Sequence, residues 1–98
     1  MPARYAIQYA REAANDVRGL RPYDRARILS MVEEHLRHDP MRISKSRIKQ
    51  MLQPFWSQFR LRVDDFRVYY DVDEEQMIVS VLRVIEKGSS GAPTENAE

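Results

Sequence analysis

Apolar and polar positions alternate most strictly between Phe55 and Val72. Phe55, Phe59, Leu61 and Val63 fall on one parity and Trp56, Gln58, Arg60 and Arg62 on the other, so a strand here buries the first set and turns the second outward. Asp64-Asp65 interrupts the run, and the alternation resumes with Phe66, Val68, Tyr70 and Val72 against Arg67, Tyr69 and Asp71. Two such runs joined by two acidic residues predict a β-hairpin. A two-residue turn then pairs Val63 with Phe66, Arg62 with Arg67, Leu61 with Val68 and Arg60 with Tyr69. Two arginines face each other, an arrangement that is unfavourable on a sheet unless an anion sits between them.

The rest of the chain supplies a frame for this hairpin. Arg4 to Tyr9 alternates, with Tyr5, Ile7 and Tyr9 on one side, and reads as a short strand. Residues 10 to 19 read as a helix with Ala10, Ala13, Ala14 and Val17 inward, closed near Gly19. Pro22 suits the first turn of a second helix, whose stripe is Ile28, Leu29, Val32 and Leu36 and which Asp39-Pro40 stops. Residues 41 to 54 fit either a turn of helix around Ile48, Met51 and Leu52 or a loop, and are treated as a loop leading into the hairpin. Met77 to Ile85 is apolar on both parities, as in a central strand flanked by residues 66–72 and by the N-terminal strand.

The order β-α-α-β-β-β predicts an α+β fold: a two-layer sandwich with two N-terminal helices on one face of a four-stranded, mostly antiparallel sheet. The opposite face, bearing Arg60, Arg62 and Arg67, is expected to be open. Residues 1 to 87 form one expected domain. The Gly-, Ser-, Pro- and Ala-rich stretch 88–98 lacks apolar periodicity and is expected to be disordered.

Charge sharpens the picture. The net charge is +1 over 98 residues, but residues 42–70 hold seven basic side chains (Arg42, Lys45, Arg47, Lys49, Arg60, Arg62, Arg67) against two acidic ones, and residues 71–98 hold seven acidic ones against Arg83 and Lys87. A dipolar molecule with one face able to attract nucleic acid follows, and mutual neutralisation across the fold is the bland alternative. No cysteine is present, which removes disulfides and thiolate nucleophiles. With no apolar run of membrane-spanning length and no apolar signal core at the N-terminus, a cytoplasmic protein that does not engage membranes is expected.

The run RLRVDDFRVYYDVDEEQMIVSVLRVIEKG resembles the C-terminal signature of the RelE/ParE toxin superfamily, a hairpin of the D-[FY]-R-V-[IFY]-Y-D-V-D kind followed by a V-x-V-L-x-V strand. The upstream strand and helices fit the same pattern, so the resemblance covers residues 4 to 87. It implies the toxin of a type II toxin–antitoxin system, with a cognate antitoxin as partner. Two targets stand: messenger RNA on the ribosome, cleaved by a metal-independent endoribonuclease that needs no cofactor, or DNA gyrase, inhibited by a ParE-like or catalytically degenerate binding module.

Metal-free RNA cleavage drives the 2′-hydroxyl onto the adjacent phosphate and needs a base, an acid and positive charge around the phosphorane. Arginine suits the third role because its planar fork holds two phosphate oxygens and keeps its charge. The resemblance puts Arg67 at the scissile phosphate, Arg60 at a basic position two pleats away, and Lys87 where the messenger-cleaving members have an arginine after the last strand. Arg62, Lys45, Arg47, Lys49, Tyr69 and Arg83 are the candidate nucleic-acid-binding residues. Tyr69 offers a ring to stack on a base, against the commoner role of packing.

The departures are specific. Gln58 stands where ribosome-dependent members carry a lysine, Val84-Ile85-Glu86-Lys87 replaces V-G-H-R, and neither base nor acid is identified. Glu86 as base competes with its reading as a solvated strand-end residue. His35 and His38 stand three apart on a helix without a Cys or third His to complete a metal set. Ser57 and Ser80 have no histidine in strand register. Trp56 and Met51 are candidate apolar anchors for an antitoxin, or core.

Overall fold

The computed structural model describes residues 4–88. The elements run β1 (Ala6–Tyr9), α1 (Arg11–Arg18), α2 (Pro22–Leu36), β2 (Ile48–Gln50), β3 (Phe59–Val63), β4 (Phe66–Asp73) and β5 (Ile78–Glu86). One sheet has the order β1-β5-β4-β3-β2. Only the β1–β5 pairing is parallel; the other three are antiparallel. The expected α+β class and the position of β5 between β4 and β1 are found. Residues 89–98, where most of the expected disordered tail falls, lie outside the described residues.

The sheet has five strands rather than four. Residues 48–50, read as loop, pair with β3 as Ile48 with Leu61, Lys49 with Arg60 and Gln50 with Phe59. Three residues with a single apolar member are too short to show a period of two, and the edge forms because β3 offers it unpaired backbone groups.

Helix α2 presents Ile28, Met31, Val32 and Leu36 to the sheet, the i, i+3, i+4 spacing of one helical face. The expected inward Leu29 is instead 37% exposed and Met31 takes its place. Helix α1 buries Ala13 and Val17. Against them lie Leu61, Val63, Val68, Tyr70, Val79, Val81 and Val84, forming one continuous core. Tyr70 stacks on Phe59 at 5.5 Å and donates its hydroxyl to the Pro40 carbonyl, which pins the α2–β2 connection to the sheet.

Gly19 closes α1 as expected in place but not in geometry, since its φ is −81° rather than positive. The orphan carbonyls at this end are met by Arg25 of α2, whose Nε donates to Val17 O (3.2 Å) and whose Nη2 donates to Leu20 O (2.8 Å) and Arg18 O (3.2 Å). In the hairpin, Asp64 takes the left-handed conformation with φ 54°, which Asp tolerates better than most residues. Arg27 of α2 bonds its carboxylate at 3.1 Å, tying the hairpin turn to the helical layer.

Candidate phosphate-binding sheet face

The hairpin register is the one the alternation predicts: Arg60 opposite Tyr69, Leu61 opposite Val68, Arg62 opposite Arg67 and Val63 opposite Phe66. Because cross-strand partners share a face, the register of all four strands places residues on the side away from the helices in two neighbouring rungs. One rung reads Lys49, Arg60, Tyr69, Arg83, and the other adds Arg62, Arg67 and Ile85. Directly opposed side chains on antiparallel strands have Cβ atoms only about 5 Å apart. Two cross-strand pairs of basic residues, Lys49–Arg60 and Arg62–Arg67, therefore lie in neighbouring rungs. The pairing of Lys49 with Arg60 depends on β2 and was not legible while residues 41–54 were read as loop.

The remaining basic residues extend this face unequally. Arg47 sits at the end of the Arg62 rung: its carbonyl accepts from Arg62 N at 2.8 Å and its Nη1 donates to Arg62 O at 3.5 Å. Its turn is shaped by Ser44, whose Oγ accepts from the backbone N–H of Arg47 (3.0 Å) and Ile48 (3.2 Å). Lys45 is exposed in that turn, off the rungs. Lys87 is exposed past the end of β5, and its backbone N–H donates to Asp65 O at 2.7 Å, so it flanks the hairpin turn. Arg62 is exposed, Arg60 and Arg67 are half-buried, and the Arg60 Nε is shielded from solvent.

Two of the expected binding residues occupy different situations from those assigned to them. Tyr69 lies on the expected face but is 1% exposed. The segment after β2 folds back across the sheet, packing Met51 and Phe55 against Tyr69 and Ile85, with Trp56 4.8 Å from the Tyr69 ring. Tyr69 is thus a floor under this segment rather than an open stacking surface, and among the rung residues Arg62 is exposed while Lys49, Arg60, Arg67 and Arg83 are half-buried. Met51 belongs to this second small core, while Trp56 is 43% exposed.

Arg83 is drawn to α1. Its Nε and Nη2 donate to Asp16 at 2.8 and 3.1 Å, and Asp16 Oδ2 also accepts the backbone N–H of Val84 at 2.9 Å. The physical reason lies in the topology. Strand β1 ends opposite Val81, so the edge of β5 beyond it has no strand neighbour, and the Asp16 carboxylate takes the place of one. A shift in the β4–β5 register between Tyr69 and Tyr70 sets Val81 opposite Tyr70 but Arg83 opposite Tyr69. Leu82 is the extra residue, and this bulge brings the Arg83–Val84 edge to the helix. Asp16 carried no signal in the sequence: an acidic residue on a helix reads as solvated surface. The Asp16 hydrogen bond also raises the pKa of Arg83 above its ordinary value.

Gln58 has a comparable role. Its backbone N–H donates to Asp71 Oδ1 and its side-chain Oε1 accepts from Val72 N, both at 2.7 Å. This reciprocal pair continues the β3–β4 ladder one step beyond Phe59. Glu86 is exposed opposite Phe66, on the parity of the helix-facing residues and therefore not on the cationic rungs.

Two helices packed on one face of a five-stranded mixed sheet match solved structures of RelE toxins. The fold matches the Mycobacterium tuberculosis RelBE2 toxin–antitoxin complex with a TM-score of 0.75 and 24% identity, over 87% of this chain and 100% of that one. It also matches the Pyrococcus horikoshii RelE–RelB complex (0.66, 19% identity, 88% and 98% of the two chains) and a free Escherichia coli RelE carrying two arginine-to-alanine changes (0.66, 20% identity, 90% and 87%). No curated protein matches the chain in sequence. Residues 7–89 match the family model of the ParE toxin of type II toxin–antitoxin systems, parDE. The chain belongs to that family, within the RelE/ParE superfamily, and is the toxin of a type II toxin–antitoxin system.

Proposed function

We propose that this toxin arrests translation by holding messenger RNA on its outer sheet face and cleaving it on the ribosome. The observation that carries the reading is the adjacency of the two cationic pairs, Lys49–Arg60 and Arg62–Arg67. Each sets two basic residues directly opposite one another on neighbouring strands, and two such pairs one rung apart suit successive phosphates of one strand. In this reading Arg67 and Arg60 stabilise the charge that develops on the phosphorane as the 2′-hydroxyl attacks. Lys87 neutralises the flanking oxygen, Arg62, Lys49 and Arg47 position the neighbouring phosphates, and Lys45 contributes long-range attraction. Arg83 and Tyr69 act through the scaffold. The reaction uses no metal or cofactor.

The partner is a cognate antitoxin, a reading supported by the RelB-bound state of two of the structural matches. A segment that folds onto the toxin and brings carboxylates to the rungs would neutralise them and exclude RNA.

One observation favours the second target, DNA gyrase bound without catalysis. The two rungs hold no histidine or carboxylate, and their one tyrosine is buried, so they supply no separate acid and base; Asp71, the next outward residue of β4, already accepts the backbone N–H of Gln58. Expression from a tightly regulated promoter separates the two. Arrest of protein synthesis with new 5′ ends in messages supports cleavage; an SOS response with intact messages overturns it in favour of gyrase.

A further inference from the structure

We propose that Trp56 is a stacking platform for an unpaired nucleobase, set beside the phosphate-binding rungs. The inference rests on the reading of those rungs as a phosphate site, and it deepens that reading by requiring the single-stranded ligand to carry bases.

Three observations support it. Trp56 is 43% exposed although large apolar side chains gain most from burial. Its ring is held from behind rather than loose: it lies 5.0 Å from Phe55 at an interplanar angle of 27° and 4.8 Å from Tyr69 at 49°. Phe55 and Tyr69 are themselves fixed in the small core with Met51 and Ile85, so the indole is presented with little orientational freedom to lose on binding. Finally, Tyr69 sits in the same rung as Arg60 and Lys49. With strands about 4.8 Å apart, the backbone of Arg60 lies about two strand spacings from the indole, the scale on which one nucleotide carries both a phosphate and a base.

An aromatic face next to convergent cations is the combination that single strands recognise, since every base has a π-face and every nucleotide a charge. Alternation places Tyr69 on the face, but the 51–58 segment covers it and substitutes its own ring. An apolar protein segment is the competing occupant, and the adjoining cations disfavour it.

Trp56 is the only tryptophan of the chain, so its emission reports on this site directly. The purified full-length toxin is titrated with a short 2′-O-methyl oligoribonucleotide, which cannot be cleaved, and with an abasic phosphodiester oligomer of the same length. The expected result is quenching by the base-bearing oligomer, binding of the abasic oligomer without quenching, and an affinity for the base-bearing oligomer about tenfold lower in Trp56→Ala. Trp56→Phe should retain part of that affinity, and unchanged binding of the abasic oligomer by both variants verifies that the rungs remain intact. Equal affinity of Trp56→Ala and wild type for the base-bearing oligomer overturns the proposal while leaving the phosphate site standing. Binding of neither oligomer overturns both. Trp56→Ala that binds the oligonucleotide normally but loses capture of the antitoxin assigns the ring to a protein partner, and the stacking role is then wrong.

Discussion

Replacing Asp16 with alanine removes three hydrogen bonds at once, and the structure indicates how their worth divides. The pair with Arg83 is partly solvated, since the arginine side chain is 41% exposed and that of Asp16 18%. Solvent screening reduces such an ion pair to roughly 0.5–1 kcal/mol. The bond to Val84 N is different. It satisfies an N–H on the β5 edge that β1 does not reach, at a residue only 4% exposed. A hydrogen bond to a charged acceptor contributes about 1.5–3 kcal/mol, and its loss leaves the donor unmet. Asp16→Ala should therefore cost roughly 2.5 kcal/mol. For a domain of 60–100 residues each kcal/mol lowers Tm by about 4–8 °C, so the expected fall is on the order of 10–20 °C, read by circular dichroism. Asp16→Asn keeps an acceptor for Val84 N and should lose about half as much. Arg83→Ala removes only the screened pair and should lose about 0.5–1 kcal/mol. An Arg83→Ala variant as unstable as Asp16→Ala would refute this division and place the energy in the ion pair. Arg83 would then have to be regarded as the organising residue of the edge.

Further outcomes follow from the same geometry. Arg67→Ala should abolish growth inhibition while the protein stays folded, as read by circular dichroism; a destabilised variant that is still toxic would defeat the phosphate role. Arg62→Ala should weaken single-strand binding and reduce the slope of log affinity against log salt by about 0.7, the value of one phosphate contact, whereas an unchanged slope would place Arg62 outside the interface. Tyr70→Phe should cost about 1–2 kcal/mol in urea unfolding, because the Pro40 carbonyl loses its partner inside the core.

Alkaline pH tests two shielded phenols together, the buried Tyr70 and the half-buried Tyr9. Burial raises the pKa of Tyr70, and burial together with the Glu33 charge pushes that of Tyr9 from 10.0 to about 12. A raised folded-state pKa contributes stability that is full below pH 10 and is lost as pH rises through the folded value. The melting temperature should fall between pH 10 and 12, and Tyr9→Phe should flatten that fall; an identical profile in the variant would show that Tyr9 does not govern it.

The hairpin was decided by local chemistry. A two-residue period and an acidic break allow one register that buries Leu61, Val63, Phe66 and Val68 together, because a shift of one residue would turn them all to solvent. The opposition of Arg62 and Arg67 follows from that register without any tertiary information. The same holds for the α+β order of elements and the central place of β5, whose residues are apolar on both parities. In α2 one member of the buried face differs from the expected stripe, Met31 in place of Leu29, because neighbouring apolar residues leave the rotation of a helix to its packing partner.

Tertiary structure decided everything that depends on a neighbour distant in the chain. Strand β2 exists because β3 presents a free edge, and Ile48–Gln50 carries too few residues to announce it. That edge added Lys49 opposite Arg60 and turned one cationic pair into two. The return of the 51–58 segment over the sheet buried Tyr69 and exposed Trp56, although alternation placed both on one side. Asp16 became a strand-edge acceptor only because β1 ends at Tyr9 and the bulge at Leu82 brings Val84 N within its reach. Alternation specifies which face a side chain occupies; whether that face meets water, another segment or a carboxylate from a helix depends on contacts between residues up to 72 positions apart, and no local pattern encodes those.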